Sequence, residues 1–143
     1  MTEDPKDSTR MNWPTRIVIL LALFVAGWLT FDGIRAFVVG DYVTPSSGEY
    51  AGQLGPWARL VESVGLDPRS NLIKGVHVGL GVLWLVTLVA FVRGVLKAWG
   101  GMVLCAVLSL WYLPFGTLLG AIQLALLLRP SVRRRFSVRA VDA

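Results

Sequence analysis

Four ionisable side chains sit where apolar sequence surrounds them: Asp32, Arg35, Lys74 and His77. Charge inside or beside a membrane-spanning stretch is costly, so it tends to be paired or used. Asp32 and Arg35 are three residues apart, which puts them on one helix face where they can neutralise each other. Lys74 and His77, the sole histidine, share that spacing. If their two helices are antiparallel neighbours, Asp32 and His77 lie at similar depth and all four residues form one polar cluster. Two readings stay open: structural hydrogen bonding of helix ends, or proton or ligand handling around a polar cavity. One histidine beside one carboxylate falls short of the three or four ligands of a usual metal site, so no metal is expected.

No catalytic residue stands out, and no cofactor is expected. The main polar segment, "DYVTPSSGEYAGQLGPWARLVESVGLDPRSN" (41–71), holds no nucleophile–base set, phosphate loop or metal spacing. Its four acidic residues outnumber its two basic ones. Cys105 is the only cysteine and lies in an apolar run, which excludes a disulfide framework. The pairs Gly75-x-x-x-Gly79 and Gly116-x-x-x-Gly120 permit close helix approach, either within the chain or across a dimer. Gln123 can hydrogen-bond between helices, while Trp28, Trp84, Trp111 and Tyr112 suit packing or lipid contact better than a binding box. Arg133, Arg134 and Arg135 follow the last apolar stretch directly. They are better suited to anionic lipid headgroups than to nucleic acid, of which no recognition module is present.

The elements that carry these residues are apolar runs: "IVILLALFVAGWLTF" (17–31), "VGLGVLWLVTLVAFV" (78–92) and "MVLCAVLSLWYLPFGTLLGAIQLALLL" (102–128). A hydrocarbon core about 30 Å thick asks for roughly 20 helical residues, so the composition defines an integral membrane protein. Continuous runs point to helices, because barrel strands would alternate. The first run is long for a signal peptide and lacks a small-residue cleavage pattern, so it is expected to remain as an anchor.

One polytopic domain follows. A flexible tail (1–13) leads to helix 1 (14–39). The loop 41–67 comes next and contains a short amphipathic helix (56–64) with Trp57, Leu60, Val61 and Val64 on one face. Asp67-Pro68 opens helix 2 (68–97) as N-cap and first helical residue, and "WGG" (99–101) makes a tight turn. Helices 3 (101–113) and 4 (116–128) lead into a basic tail (129–143).

The last apolar stretch is either one kinked span or a hairpin. Its 27 residues make about 40 Å of helix, and each half alone is short for a crossing. In the four-helix version ten of the 14 Lys and Arg residues flank one side, against four on the other. With three helices the split is nine to five. The more polarised version agrees better with the excess of cations on cytoplasmic flanks. Pro114 and Gly116 favour a turn, with Thr117 as cap of the fourth helix. The expected fold is an all-α bundle of four transmembrane helices, the last two short and joined at Pro114–Thr117. Three helices with a kinked last span are the alternative.

"LKAWGG", an apolar segment, "LPFGTLLG" and an aliphatic finish together resemble a loose group of small four-helix bacterial membrane proteins. In that group a Pro-x-Gly-Thr-x-x-Gly motif joins the last two helices. The likeness covers the last quarter of the chain and implies the four-helix fold but no activity. Members often carry aromatics after the final glycine, where this chain has Ile122 and Ala125. The expected protein is a multi-pass component of a cell inner membrane with both termini cytoplasmic. Its partners are the bilayer, anionic lipids at the C-terminal tail, and a second copy or another membrane protein. Its role is that of a non-enzymatic accessory subunit or scaffold, with a small oligomeric transporter or channel-like protein as the alternative.

Overall fold

A computed structural model describes residues 11–137. Six helices form in this order: α1 (Trp13–Val39), α2 (Pro56–Ser63), α3 (Asn71–Val92), α4 (Ala98–Leu108), α5 (Phe115–Leu127) and α6 (Pro130–Ser137). No strand occurs among the described residues. Two helices, α1 and α3, are long and apolar enough to cross a membrane, and α5 with α6 is a third candidate if that bent pair counts as one span.

The helix ends follow from local chemistry. Asn12 caps α1 by accepting the Thr15 N–H at 3.1 Å and its hydroxyl at 2.6 Å. Asn12 thereby satisfies one of the orphan donors of the first turn. α2 and α3 both end in a Schellman arrangement, with Gly65 and Gly94 in the left-handed region. In each, the residue after the glycine donates back across the last turn: Leu66 to the Val61 carbonyl and Val95 to that of Ala90.

Several boundaries correct the sequence reading. Helix 2 spans Asn71–Val92 rather than 68–97, with Ser70 as its cap. Asp67 instead makes a turn, its carboxylate accepting the Arg69 N–H at 2.9 Å, and Gly94 ends the helix early. "WGG" lies inside α4 rather than forming a turn. A Cβ on Gly101 would meet Thr87 Cγ2 at 2.7 Å, so the glycine serves the approach of α4 to α3. Thr117 does not cap α5; its hydroxyl donates to the Leu110 carbonyl at 2.7 Å. Of the expected tail after 129, residues 130–137 form α6, bent 69° from α5, and the rest lies outside the described residues.

α1 and α3 pack antiparallel through small residues. A Cβ on Gly33 would lie 2.8 Å from Val78 Cγ2, and one on Gly81 would lie 2.7 Å from the Thr30 nitrogen. α4 and α5 fold back on one another around residues 109–114. Near the turn, Gly116 packs on Ser109; farther off, Gly120 packs on Ala106; at the far end Trp99 Nε1 donates to the Leu127 carbonyl at 2.9 Å. The Leu113–Pro114 peptide in the turn is cis.

The interior interleaves small side chains such as Ala22, Ala26 and Ala36 with large ones such as Leu29, Trp84 and Met102. Large apolar side chains also line the outside, including Leu20, Phe24, Phe31, Leu83, Val86, Leu104 and Leu118. Without a hydrophobic drive between helices in lipid, close approach through small residues is what holds such a bundle together. Gln123 is buried but makes no side-chain hydrogen bond across helices.

Candidate functional site

The four polar residues of the two long helices all lie at the end where α1 finishes and α3 begins. The structure brings them together by tying each to backbone rather than to one another. Asp32, 2% exposed, accepts the Val43 N–H at 2.7 Å. Arg35 donates to the Asp41 carbonyl at 2.7 Å, and Lys74 Nζ donates to the Gly40 carbonyl at 3.1 Å. Those carbonyls stand just beyond the C-terminus of α1, where backbone acceptors lack helical partners and cations are favoured. Asp32 and Arg35 therefore do not hydrogen-bond as an i, i+3 pair. They hold the backbone of residues 41 and 43 and fasten the loop to the helix.

His77 is wholly buried and stands apart from Asp32, with no hydrogen bond between them. Its Nδ1 lies 2.9 Å from the Ile73 carbonyl. A carbonyl can only accept, so Nδ1 carries the hydrogen. Four rings enclose the imidazole: Tyr42, Trp57, Trp111 and Tyr112, with centroids 4.8 to 5.4 Å away. The Tyr42 hydroxyl lies 3.5 Å from the same Nδ1.

The rings explain why a polar segment drops into the bundle. α4 and α5 have 11 and 13 residues against 27 in α1, so their turn reaches only to the depth of Trp28 and His77. α2 lies over that turn, and Trp57 fills the space above it, 5.7 Å from the Tyr112 ring and 5.8 Å from Trp111. The buried face of α2 is Trp57, Ala58 and Val61, while Leu60 and Val64 point outward. This corrects the expected apolar face.

A second clamp was not singled out from the sequence. Arg69 grips the Asp41 carboxylate with Nε and Nη2 at 3.0 and 3.1 Å and also donates to the Gly52 carbonyl. Partial burial tends to raise the Asp41 carboxyl, but Arg69 and the Tyr42 N–H outweigh it and hold the group below the usual carboxylate value. Burial pushes the Tyr42 hydroxyl well above an ordinary phenol, so it stays protonated. The signal for Asp41 was its place directly after the helix-ending Gly40. Nothing in the local pattern around Arg69 announces a partner 28 residues away.

The remaining predicted residues divide. Gly116 and Gly120 face α4 closely, whereas Gly75 and Gly79 have open space around their Cβ positions. The close α1–α3 contact runs through Gly33 and Gly81, which the sequence reading did not select. At the opposite end, Val132 and Phe136 seat α6 on the bundle, and Phe136 stacks on Phe91 at 4.7 Å. Arg129 lies over the Trp13 ring and Arg133 over Trp99, while Arg135 donates to the Val92 carbonyl at 3.0 Å. Arg133 and Arg135 are thus partly engaged with the bundle. Among the described residues no group of three His, Cys, Asp or Glu side chains could hold a metal ion.

The fold and this site define a small all-helical chain with membrane-length helices and a polar loop stapled over one end. No protein-family model, curated protein or solved structure matches it.

Proposed function

We propose that the chain is a non-enzymatic, multi-pass component of a bacterial-type inner membrane that works by association, as an accessory subunit or self-associating scaffold. The observation that carries this reading is the commitment of its unusual polar groups. Asp32, Arg35 and Lys74 each hold loop backbone, and His77 holds its own helix. These groups build a rigid cap rather than a reactive centre. A transporter or channel would need Asp32 and His77 on one polar path, and no hydrogen bond joins the two.

In this reading the chain crosses four times, with α4 and α5 as short spans that thin the bilayer locally or lean on neighbours. The likeness of "LPFGTLLG" to the small four-helix bacterial group supports the same count. Both termini are then cytoplasmic, with Arg133, Arg134 and Arg135 at the anionic headgroup level, and residues 41–71 outside. The outward-facing Gly75 and Gly79 leave α3 a flat strip on which another membrane helix can pack closely.

Cross-linking of the full chain in native membranes, followed by mass spectrometry, tests the association. The expected product is a discrete adduct, with a second copy or one reproducible membrane protein, that Gly79→Leu reduces. A chain that remains monomeric at native abundance refutes the reading.

A further inference from the structure

Two concavities meet at the loop end of the groove between α1 and α5. The upper one, about 400 Å³, is bordered by the end of α1, the 42–57 segment and the 112–115 turn. Its walls include Trp28, Tyr42, Trp57 and Tyr112, with Asp32 among the lining residues and Arg59 beside them. The lower one, about 230 Å³, is lined by Phe24, Val25, Trp28, Tyr112, Phe115, Gly116 and Leu119. Trp28, Tyr112 and Phe115 border both. Phe24 lies eight residues before Asp32, about 12 Å farther along α1. A polar, aromatic-walled cavity therefore opens onto an apolar groove that continues along the same helix.

We propose that this pair of cavities seats one phospholipid with an ammonium headgroup of the phosphatidylethanolamine type, its head in the upper space and an acyl chain in the lower. Asp32 carries a buried carboxylate with only one hydrogen bond, to Val43, although a carboxylate has about four acceptor sites. Aromatic faces around it attract a cation through their quadrupoles. Arg35 and Lys74 are turned to loop carbonyls and do not line the space. Arg59, exposed, is the cationic group of the lining and matches a phosphate placed farther out than the ammonium. A purely anionic headgroup would meet the Asp32 carboxylate without a compensating ammonium. A soluble zwitterion would leave the apolar groove without purpose. The volume of the upper space lies within the range of small-molecule sites. This seat is at the opposite end from the tail arginines and stands independently of any protein partner.

Native mass spectrometry of the full chain in detergent tests the seat with three probes. These are dihexanoyl phosphatidylethanolamine, dihexanoyl phosphatidylglycerol and glycerophosphoethanolamine. The ethanolamine lipid should bind about tenfold tighter than its glycerol counterpart, and the chainless headgroup should bind far more weakly than either lipid. Asp32→Asn keeps an acceptor for the Val43 N–H, so it should abolish the headgroup preference without lowering the thermal midpoint. If that variant fails to fold, Arg59→Glu on the exposed rim should weaken the ethanolamine lipid several-fold. Equal binding of the two lipids, a preference unchanged in a folded Asp32→Asn variant, or an affinity unchanged in Arg59→Glu overturns the proposal. Headgroup binding as tight as the lipid's overturns it also, by assigning the cavity to a soluble zwitterion.

Discussion

Asp32 and Asp41 lie nine residues apart, and their surroundings give them different work. Asp32 is buried and holds a loop amide, while Asp41 is 42% exposed on its side chain and gripped by Arg69. The carboxyl of Asp41 is held below its ordinary value, so the clamp contributes fully above the unfolded value near 3.8 and is lost as pH falls through the lower folded value. Solvent screening limits the effect to at most about 1 kcal/mol. Thermal unfolding in detergent between pH 2 and 6 should show an acid-side loss of midpoint that Asp41→Asn diminishes; an identical acid profile in the variant would refute the assignment. The identity of these polar residues was legible from their sequence context, but their partners were not. Arg35, Lys74 and Asp32 bind backbone atoms of residues 40–43, and a backbone carbonyl or amide has no signature in the residue code.

Between elements, glycine decides which helices touch. Ala at position 81 would drive a methyl into the Thr30 nitrogen and the Ala26 carbonyl at 2.7 and 2.9 Å, both backbone atoms that cannot rotate away. Overpacking of this kind costs about 1–3 kcal/mol. Gly75 and Gly79 have nothing within 4 Å, and alanine there removes a helix-weakening residue worth up to about 1 kcal/mol. Gly81→Ala should therefore lower the unfolding midpoint of the isolated chain in micelles while Gly75→Ala leaves it level or higher, and the reverse order would mean that α3 is rotated from its described face. Element existence was readable because long apolar runs permit little else. Spacing misled at the glycines, since a G-x-x-x-G pattern records that two small residues share a face but not which face meets α1. "WGG" misled for a related reason: glycine marks a turn and a close helix contact alike, and here Thr87 on α3 makes it the second.

At the scale of the whole molecule, the short α4–α5 pair and the long loop answer each other. Helices of 11 and 13 residues leave a gap beside a 27-residue α1, and α2 fills it with Trp57. Charge counting favoured the fold-back at Pro114 from sequence, but the partner that covers the turn lies more than 50 residues upstream and no local pattern reveals it. The fold-back places the start of α1, the end of α3 and the whole of α6 at one end of the bundle. Asn12 donates to the Ser131 carbonyl at 2.9 Å, and Arg129 lies over the Trp13 ring. Arg and Trp together are residues of a membrane interface. In the proposed four-helix topology, single cysteines at Thr9, Ser47 and Ser137 have a defined labelling order in intact cells. The native Cys105 is buried and contributes little background. A membrane-impermeant maleimide should modify the Ser47 variant from outside and reach the Thr9 and Ser137 variants only after the cells are opened. Ser137 labelling together with Ser47 would defeat the four-helix reading and the contact between Asn12 and Ser131 with it.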